Sequence, residues 1–283
     1  MEQPSFDLVV TTVDRIEELR RLLDSLERQT HRAFRVVLVD QNDDERLADL
    51  ISARNAVDIV HVRSPRGLSR GRNVALERLS ADVVAFPDDD CAYAEDLLER
   101  VARLLASRPD LDGVLGRTAD STGRSSANWA SERLRVDRDN VWHCANSNSV
   151  FLRRELVRRV GRFDEGLGLG SSTPWSSGEE TEYLVRAMGL GARLEYDPAL
   201  VVLHSDIPLT PARGYRDGAS VGYILGKHRY RAAALAKMLV RPLGGAALSL
   251  VRLDLDDARF HASTLRGRFA GYRAGLRARR AGA

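Results

Sequence analysis

Residues 83–91 read VVAFPDDDC, a short apolar run of β-type residues that stops in three consecutive carboxylates, Asp88, Asp89 and Asp90. Three like charges at a strand end repel one another unless a cation stands between them, and a divalent metal holding a phosphate is the usual cation in such a place. Taken alone, the triplet fits a solvated turn or a helix N-terminus equally well. Its meaning depends on its surroundings.

Outward from it, FDLVVTTV at 6–13, FRVVLVD at 34–40 and DIVHV at 58–62 are further β-type blocks. Ile16, Leu19, Leu22, Leu23 and Leu26 share one helical face between the first two. Further helices are expected from near Leu68 and from Ala94 to Ala106. Strands alternating with helices form a parallel sheet covered on both faces, and ligands then sit beyond the carboxyl ends of the strands. Chemistry is therefore expected at 11–15, 40–44, 63–73 and 88–90. From 111 to 205 the pattern becomes mixed, without a clean linker, so residues 1–208 read as one domain of two halves, 1–110 and 111–208. Residues 209–283 read as a helical extension.

In order, VVTTVDR (9–15), VLVDQND (37–43), GLSRGRNVAL (67–76), VVAFPDDDC and SGEETEYLVRAMGLGARLEYDPALVVLH (177–204) resemble the motifs of the family-two inverting glycosyltransferases with the GT-A fold. Each motif is common alone; five in order on the right elements are specific. The resemblance covers about residues 6–205. It implies an α/β protein, a Rossmann-like mixed sheet whose nucleotide-binding half (1–110) is fused to an acceptor-binding half (111–208). It also implies transfer of a sugar from a nucleoside-diphosphate donor to an acceptor hydroxyl with inversion, in cell-surface, exopolysaccharide or lipid-linked glycan assembly.

Carried over by position, Asp90, Asp88 and His204 become the metal residues, with Mg²⁺ or Mn²⁺ between carboxylate and diphosphate. Thr11, Thr12, Asp40, Gln41, Arg72, Asp88 and Asp89 become the donor-binding residues. An ordinary surface arginine and a satisfied polar histidine are the plain alternatives for Arg72 and His204. The family commonly shows two acids after the second strand, where Asp40 and Gln41 stand here. Gln offers a donor as well as an acceptor, which leaves the nucleotide base open.

The resemblance puts the base that takes the acceptor proton on Glu180, with Glu179 beside it and Glu182 following. Ser177 and Glu180 also spell a capping box, and acids in a first helical turn favour the helix dipole, so both readings stand. Trp175, in a run of small residues, suits an acceptor-side lid, and Asn146 and Asn148 suit sugar hydroxyls.

The 283 residues are 43% hydrophobic, 29% charged and 6% aromatic, a composition that excludes disordered and collagen-like chains. Cys91 and Cys144 are too few for a zinc cluster and fit a reducing compartment. No basic region precedes a long apolar stretch at the start and no run of about 18 apolar residues is uninterrupted, so neither a signal peptide nor a membrane span is expected, and a cytoplasmic location is. The net charge of +3 is uneven: residues 209–283 hold 15 basic and 4 acidic residues. Gly214, Gly218, Gly222 and Gly226 recur every four residues, as do Gly267, Gly271 and Gly275. The first series is expected to pack on the catalytic domain. In the second, Leu265, Phe269, Tyr272 and Leu276 form an apolar face amid arginines, the pattern of a helix on an anionic membrane. The expected location is thus the inner face of the cell membrane, as a peripheral protein, and the oligomeric state is left open.

Two other classes fit less well. A sugar nucleotidyltransferase needs a Gly-rich phosphate loop after the first strand, which VVTTVDRIEEL lacks. A nucleic-acid-binding protein needs aromatics interleaved with its basic residues, and the tail has few, so no nucleic-acid partner is expected.

Overall fold

The computed structural model describes residues 3–125, 128–205 and 208–281. They form two compact units, Met1–Phe163 with Tyr183–Asp206, and Asp164–Glu182 with Ile207–Ala283.

The first unit opens with β1 (Phe6–Thr12), α1 (Ile16–Glu27), β2 (Phe34–Asp40), α2 (Ala48–Ser52), β3 (Asp58–Arg63), α3 (Leu68–Ala75), β4 (Val83–Ala85), β5 (Ala92–Tyr93) and α4 (Leu97–Ser107). It continues with β6 (Gly113–Ala119), β7 (Leu134–Arg135), β8 (Val150–Arg153), α5 (Arg154–Val160), α6 (Glu179–Gly189), whose first turn belongs to the second unit, and β9 (Leu194–Leu203). The sheet order is β3-β2-β1-β4-β8-β6-β9-β5, with β7 paired to β9. β1 to β4 run parallel, whereas β8 is antiparallel to both β4 and β6. The sheet is therefore mixed, with helices packed against it, as the resemblance implies.

Val36 to Val39 are buried because the central strands are covered on both faces. Leu19, Leu22, Leu23 and Leu26 of α1 join Leu97, Leu98, Val101 and Leu105 of α4 in the same core. A parallel bridge between Thr11 and Asp88 carries the acidic triplet level with the carboxyl end of β1. The separate strand-like runs expected at ARLEY and ALVVLH merge into the single strand β9, which passes through Pro198.

The second unit contains residues 164–182, which the sequence division at 208 assigned to the catalytic domain, with α7 (Pro211–Lys227), α8 (Ala232–Val251) and α9 (Leu255–Ala281). Partly buried ion pairs tie these stretches together: Lys227 of α7 meets Asp164 and Glu182, each at 2.7 Å.

The two glycine series meet each other. A Cβ on Gly218, Gly222 or Gly226 would fall on the backbone of Thr264, Arg268 or Tyr272, and one on Gly267, Gly271 or Gly275 on that of Tyr215, Ala219 or Tyr223. The expectation that the first series packs on the catalytic domain is corrected accordingly. The partner of the second series lies in the same chain.

The expectation of no spanning-length segment also needs correction. By length and composition alone α8 could cross a membrane, and most of it is not buried. Lys237 and Arg241 interrupt the run, which is why a search for unbroken apolar residues passes over it.

Candidate active site

The carboxyl ends of β1, β2, β4 and β9 bring the expected residues of the first unit together. Asp88, Asp90 and His204 each offer a ligand atom, all within 4.8 Å of one another. His204 Nε2 lies 3.2 Å from Asp90 Oδ1, and the His204 backbone N–H donates to Ala119 O at the end of β6. Two carboxylates and one imidazole, partly exposed, suit a hard or borderline divalent ion such as Mn²⁺ or Mg²⁺. The donor set fits the expected metal.

Each acid has its own support. Asp88 accepts from Arg72 Nη2 at 3.2 Å and from the Ser147 hydroxyl at 3.3 Å, and its backbone N–H donates to Asn148 Oδ1 at 2.6 Å. Arg72 is 1% exposed, with Phe86 and Phe163 rings 5.7 and 5.6 Å from its guanidinium carbon. A buried, ring-flanked guanidinium aimed at an acid is no ordinary surface arginine. Asp89 accepts from the Thr12 hydroxyl at 2.7 Å and from Arg15 at 2.9 Å, yet burial pushes its carboxyl up to about 6. Burial also raises Asp90, but His204 and Arg15 outweigh it and hold Asp90 below the usual carboxylate range.

The Thr11 hydroxyl is buried without a hydrogen-bond partner, and Gly71 of α3 comes so close that a Cβ there would stand 2.8 Å from Thr11 Cγ2. Asp40 is fully buried, accepting from Asn42 through one oxygen and facing His61 at 3.1 Å through the other. Gln41 turns inward: its Nε2 donates to the carbonyls of Pro65 and Gly67, and its Oε1 accepts from Gly67 N–H. Its amide thus fixes the loop entering α3. Asn148, expected on the acceptor side, is fully buried beneath Asp88 with its Nδ2 unpartnered, and Asn146 caps the turn leading to β8 by accepting from Asn148 N–H at 3.0 Å.

In the second unit, Gly178 has φ +76° and leads directly into α6. Ser177 does not form the expected capping box; its hydroxyl contacts Asp217 at 3.1 Å and Ser220 at 3.0 Å. Trp175 stacks on Tyr223 with ring centroids 5.3 Å apart. The three acids of α6 differ sharply. Glu182 is fully buried and held by Lys227 at 2.7 Å and His228 at 3.0 Å, Glu179 is buried, and Glu180 keeps solvent exposure, accepting from the Thr181 hydroxyl at 3.3 Å.

Sequence reading missed Arg15 and the Lys227, His228 and Asp164 group. Arg15 was within sight, since it follows the first strand where ligands gather. The other group joins residues more than forty positions apart, and no local pattern announces it.

The sequence pattern of glycosyl transferase family 2 matches residues 7–160, more than half the chain. A pre-mycofactocin glycosyltransferase of Mycobacterium tuberculosis is 26% identical over 211 residues, covering 70% of this chain and 42% of that protein. The chain thus spans under half the length of this relative. The mannosyltransferase PcManGT from Pyrobaculum calidifontis, solved with GDP-Man and Mn²⁺, superposes with a TM-score of 0.65 at 17% identity over 94% of this chain and 87% of that one. S. aureus TarS 1-349 with UDP-GlcNAc superposes at 0.60 and 18% identity, over 93% and 92%. These two likenesses carry the fold.

Proposed function

The chain belongs to glycosyl transferase family 2, and from that premise we propose that it moves a sugar from a nucleoside-diphosphate donor to an acceptor hydroxyl, with inversion, in a metal-dependent reaction. The observation that carries this reading is the convergence of Asp88, Asp90 and His204 at the strand ends. These residues would hold Mg²⁺ or Mn²⁺, which supplies charge neutralisation for the departing nucleoside diphosphate.

The protein's own groups do the rest. Arg72 and Ser147 hold Asp88, while Thr12 and Arg15 hold Asp89, so the acids meet the donor already oriented. Thr11, Asp40 and Gln41 line the base and ribose side. The unpartnered Thr11 hydroxyl supports that assignment, because a buried hydroxyl without a partner is costly until a ligand supplies one. Gln41 is engaged with its own loop and shapes the base pocket. The solved relatives hold a GDP sugar and a UDP sugar, and both bases belong in the first screen.

Glu180 takes the proton of the acceptor hydroxyl as its oxygen forms the new bond at the anomeric carbon and the bond to the diphosphate breaks on the opposite face. Its exposure supports this role over Glu182, whose carboxylate is committed to Lys227 and His228. Glu179, Trp175 and Asn146 serve the acceptor side, with Asn148 behind Asp88. The acceptor is a glycan or lipid-linked glycan of the cell surface.

The test is turnover of UDP and GDP sugars with and without Mn²⁺, for wild type and Asp90→Asn. Activity that needs the ion and is lost in the variant is expected. Undiminished turnover in a chelator, or in the variant, overturns the reading.

A further inference from the structure

We propose that α8 and the turn after it form a membrane-docking surface, lying in the plane of an anionic bilayer with its apolar side chains among the acyl chains. The sequence pattern pointed instead to α9. There, however, Gly267, Gly271 and Gly275 are buried against α7, which fixes how that helix is turned. Only Phe269 among its four large apolar residues is prominently exposed.

α8 is different. Val240, Leu243, Leu248, Leu250, Val251 and Leu253 are all exposed, Val251 to 80% and Leu253 to 86%. Leu239, Pro242 and Ser249 form its buried row. Six large apolar side chains exposed between residues 240 and 253 have no stabilising role in water.

A second observation is independent of exposure. Leu253, at the tip between α8 and α9, adopts φ +58°. L-residues other than glycine, asparagine and aspartate occupy that region at a cost, and a bulky apolar residue there is an outlier. The protein thus holds a leucine in a strained conformation with almost no protein around it. The left-handed turn is a helix stop, with Leu253 N–H bonded to Leu250 O and Asp254 N–H to Ser249 O; what the stop does not call for is a bulky, exposed leucine where glycine would serve at less cost.

Charge selects the occupant. From His228 to Leu253 stand Arg229, Arg231, Lys237, Arg241 and Arg252, and no acid. The acids just beyond the tip are engaged within the unit: Asp254 caps the Asp257 N–H at 3.0 Å, Asp256 pairs with Arg259 at 3.1 Å, and Asp257 accepts from the Ser249 hydroxyl. Lipid headgroups complement five cations, and acyl chains complement the leucines. A second copy meeting this face about a two-fold axis would set the same cations against each other. Spanning is disfavoured too, because Lys237 and Arg241 would enter the hydrocarbon and the buried row would leave α9.

No residue of this surface belongs to the chemistry assigned to Asp90 and Glu180. The full chain is tested by co-sedimentation with vesicles of phosphatidylcholine alone and of phosphatidylcholine mixed with phosphatidylglycerol. Binding to the anionic vesicles at low salt is expected, weakened about tenfold or more by the double variant Val251→Glu with Leu253→Glu. Leu253→Gly separates docking from folding: relief of the left-handed strain leaves Tm unchanged or raised while vesicle binding falls. In Leu253→Trp, fluorescence is quenched by lipids brominated near the headgroup and not by those brominated at the chain ends. The proposal is overturned if wild type ignores anionic vesicles at low salt or if the double glutamate variant binds as wild type does. Quenching from the bilayer centre overturns it in favour of a span. A dimer in sedimentation velocity that Leu253→Glu dissolves overturns it in favour of a second copy.

Discussion

Arg15 grips Asp90 at 2.6 Å through the carboxylate oxygen opposite the one that faces His204 at 3.2 Å. Two cationic or hydrogen-bonding partners, one per oxygen, fix the plane of the acid and keep it ionised. The same guanidinium reaches Asp89 at 2.9 Å, so one side chain orders two of the three clustered acids.

Arg15→Gln removes the cation that relieves their repulsion. With Arg15 45% exposed, solvent screening limits the loss to about 1 kcal/mol, or roughly 2–4 °C in Tm in a chelator. Added Mn²⁺ should restore much of it, so the metal-induced rise in Tm is larger in the variant than in wild type. Equal metal shifts in differential scanning fluorimetry would contradict this account.

Glu180→Gln and Glu182→Gln should fail in different ways. The first is expected to bind donor normally and to lower turnover by about 10² or more, the scale for a lost general base. The second leaves Lys227 and His228 without their buried acid and should cost about 3–5 kcal/mol of stability. Calorimetry beside single-turnover kinetics checks the split; a stable, inactive Glu182→Gln would move the base to that residue.

The glycine contacts between α7 and α9 make a packing prediction. Gly222→Ala puts a methyl group onto the Arg268 carbonyl and is expected to destabilise by about 3 kcal/mol. Gly244→Ala in α8 meets nothing within 4 Å and should stabilise by about 0.5–1 kcal/mol. Urea denaturation of the two variants reads the difference directly.

Cys91 and Cys144 are buried free thiols, and burial pushes Cys144 up to about 12 and Cys91 well above its ordinary value. Neither should react with iodoacetamide at about pH 8 until the chain is unfolded. Rapid labelling of the native protein, followed by mass spectrometry, would show that one of them is accessible.

The sequence by itself determined the α/β alternation, the family motifs and the positions of the acids, because these rest on local periodicity and on residues a few places apart. Asp88, Asp89 and Asp90 are adjacent in the chain and needed no fold to be noticed. The resemblance names His204, 114 positions beyond Asp90, but only the tertiary structure brings its ring to within 4.8 Å of the Asp88 and Asp90 carboxylates. The tertiary structure also decided that Arg72 is buried between rings, that Gln41 serves its own loop, and that Glu182 is an internal ion-pair partner. Such outcomes depend on which side chains strand pairing and helix packing bring within 3–4 Å, and on how much water remains there. The tail shows the same limit. Its glycine spacing predicted close helix contact, but a periodic stripe does not specify its partner, and only the docking of α9 on α7 left α8 as the exposed apolar surface.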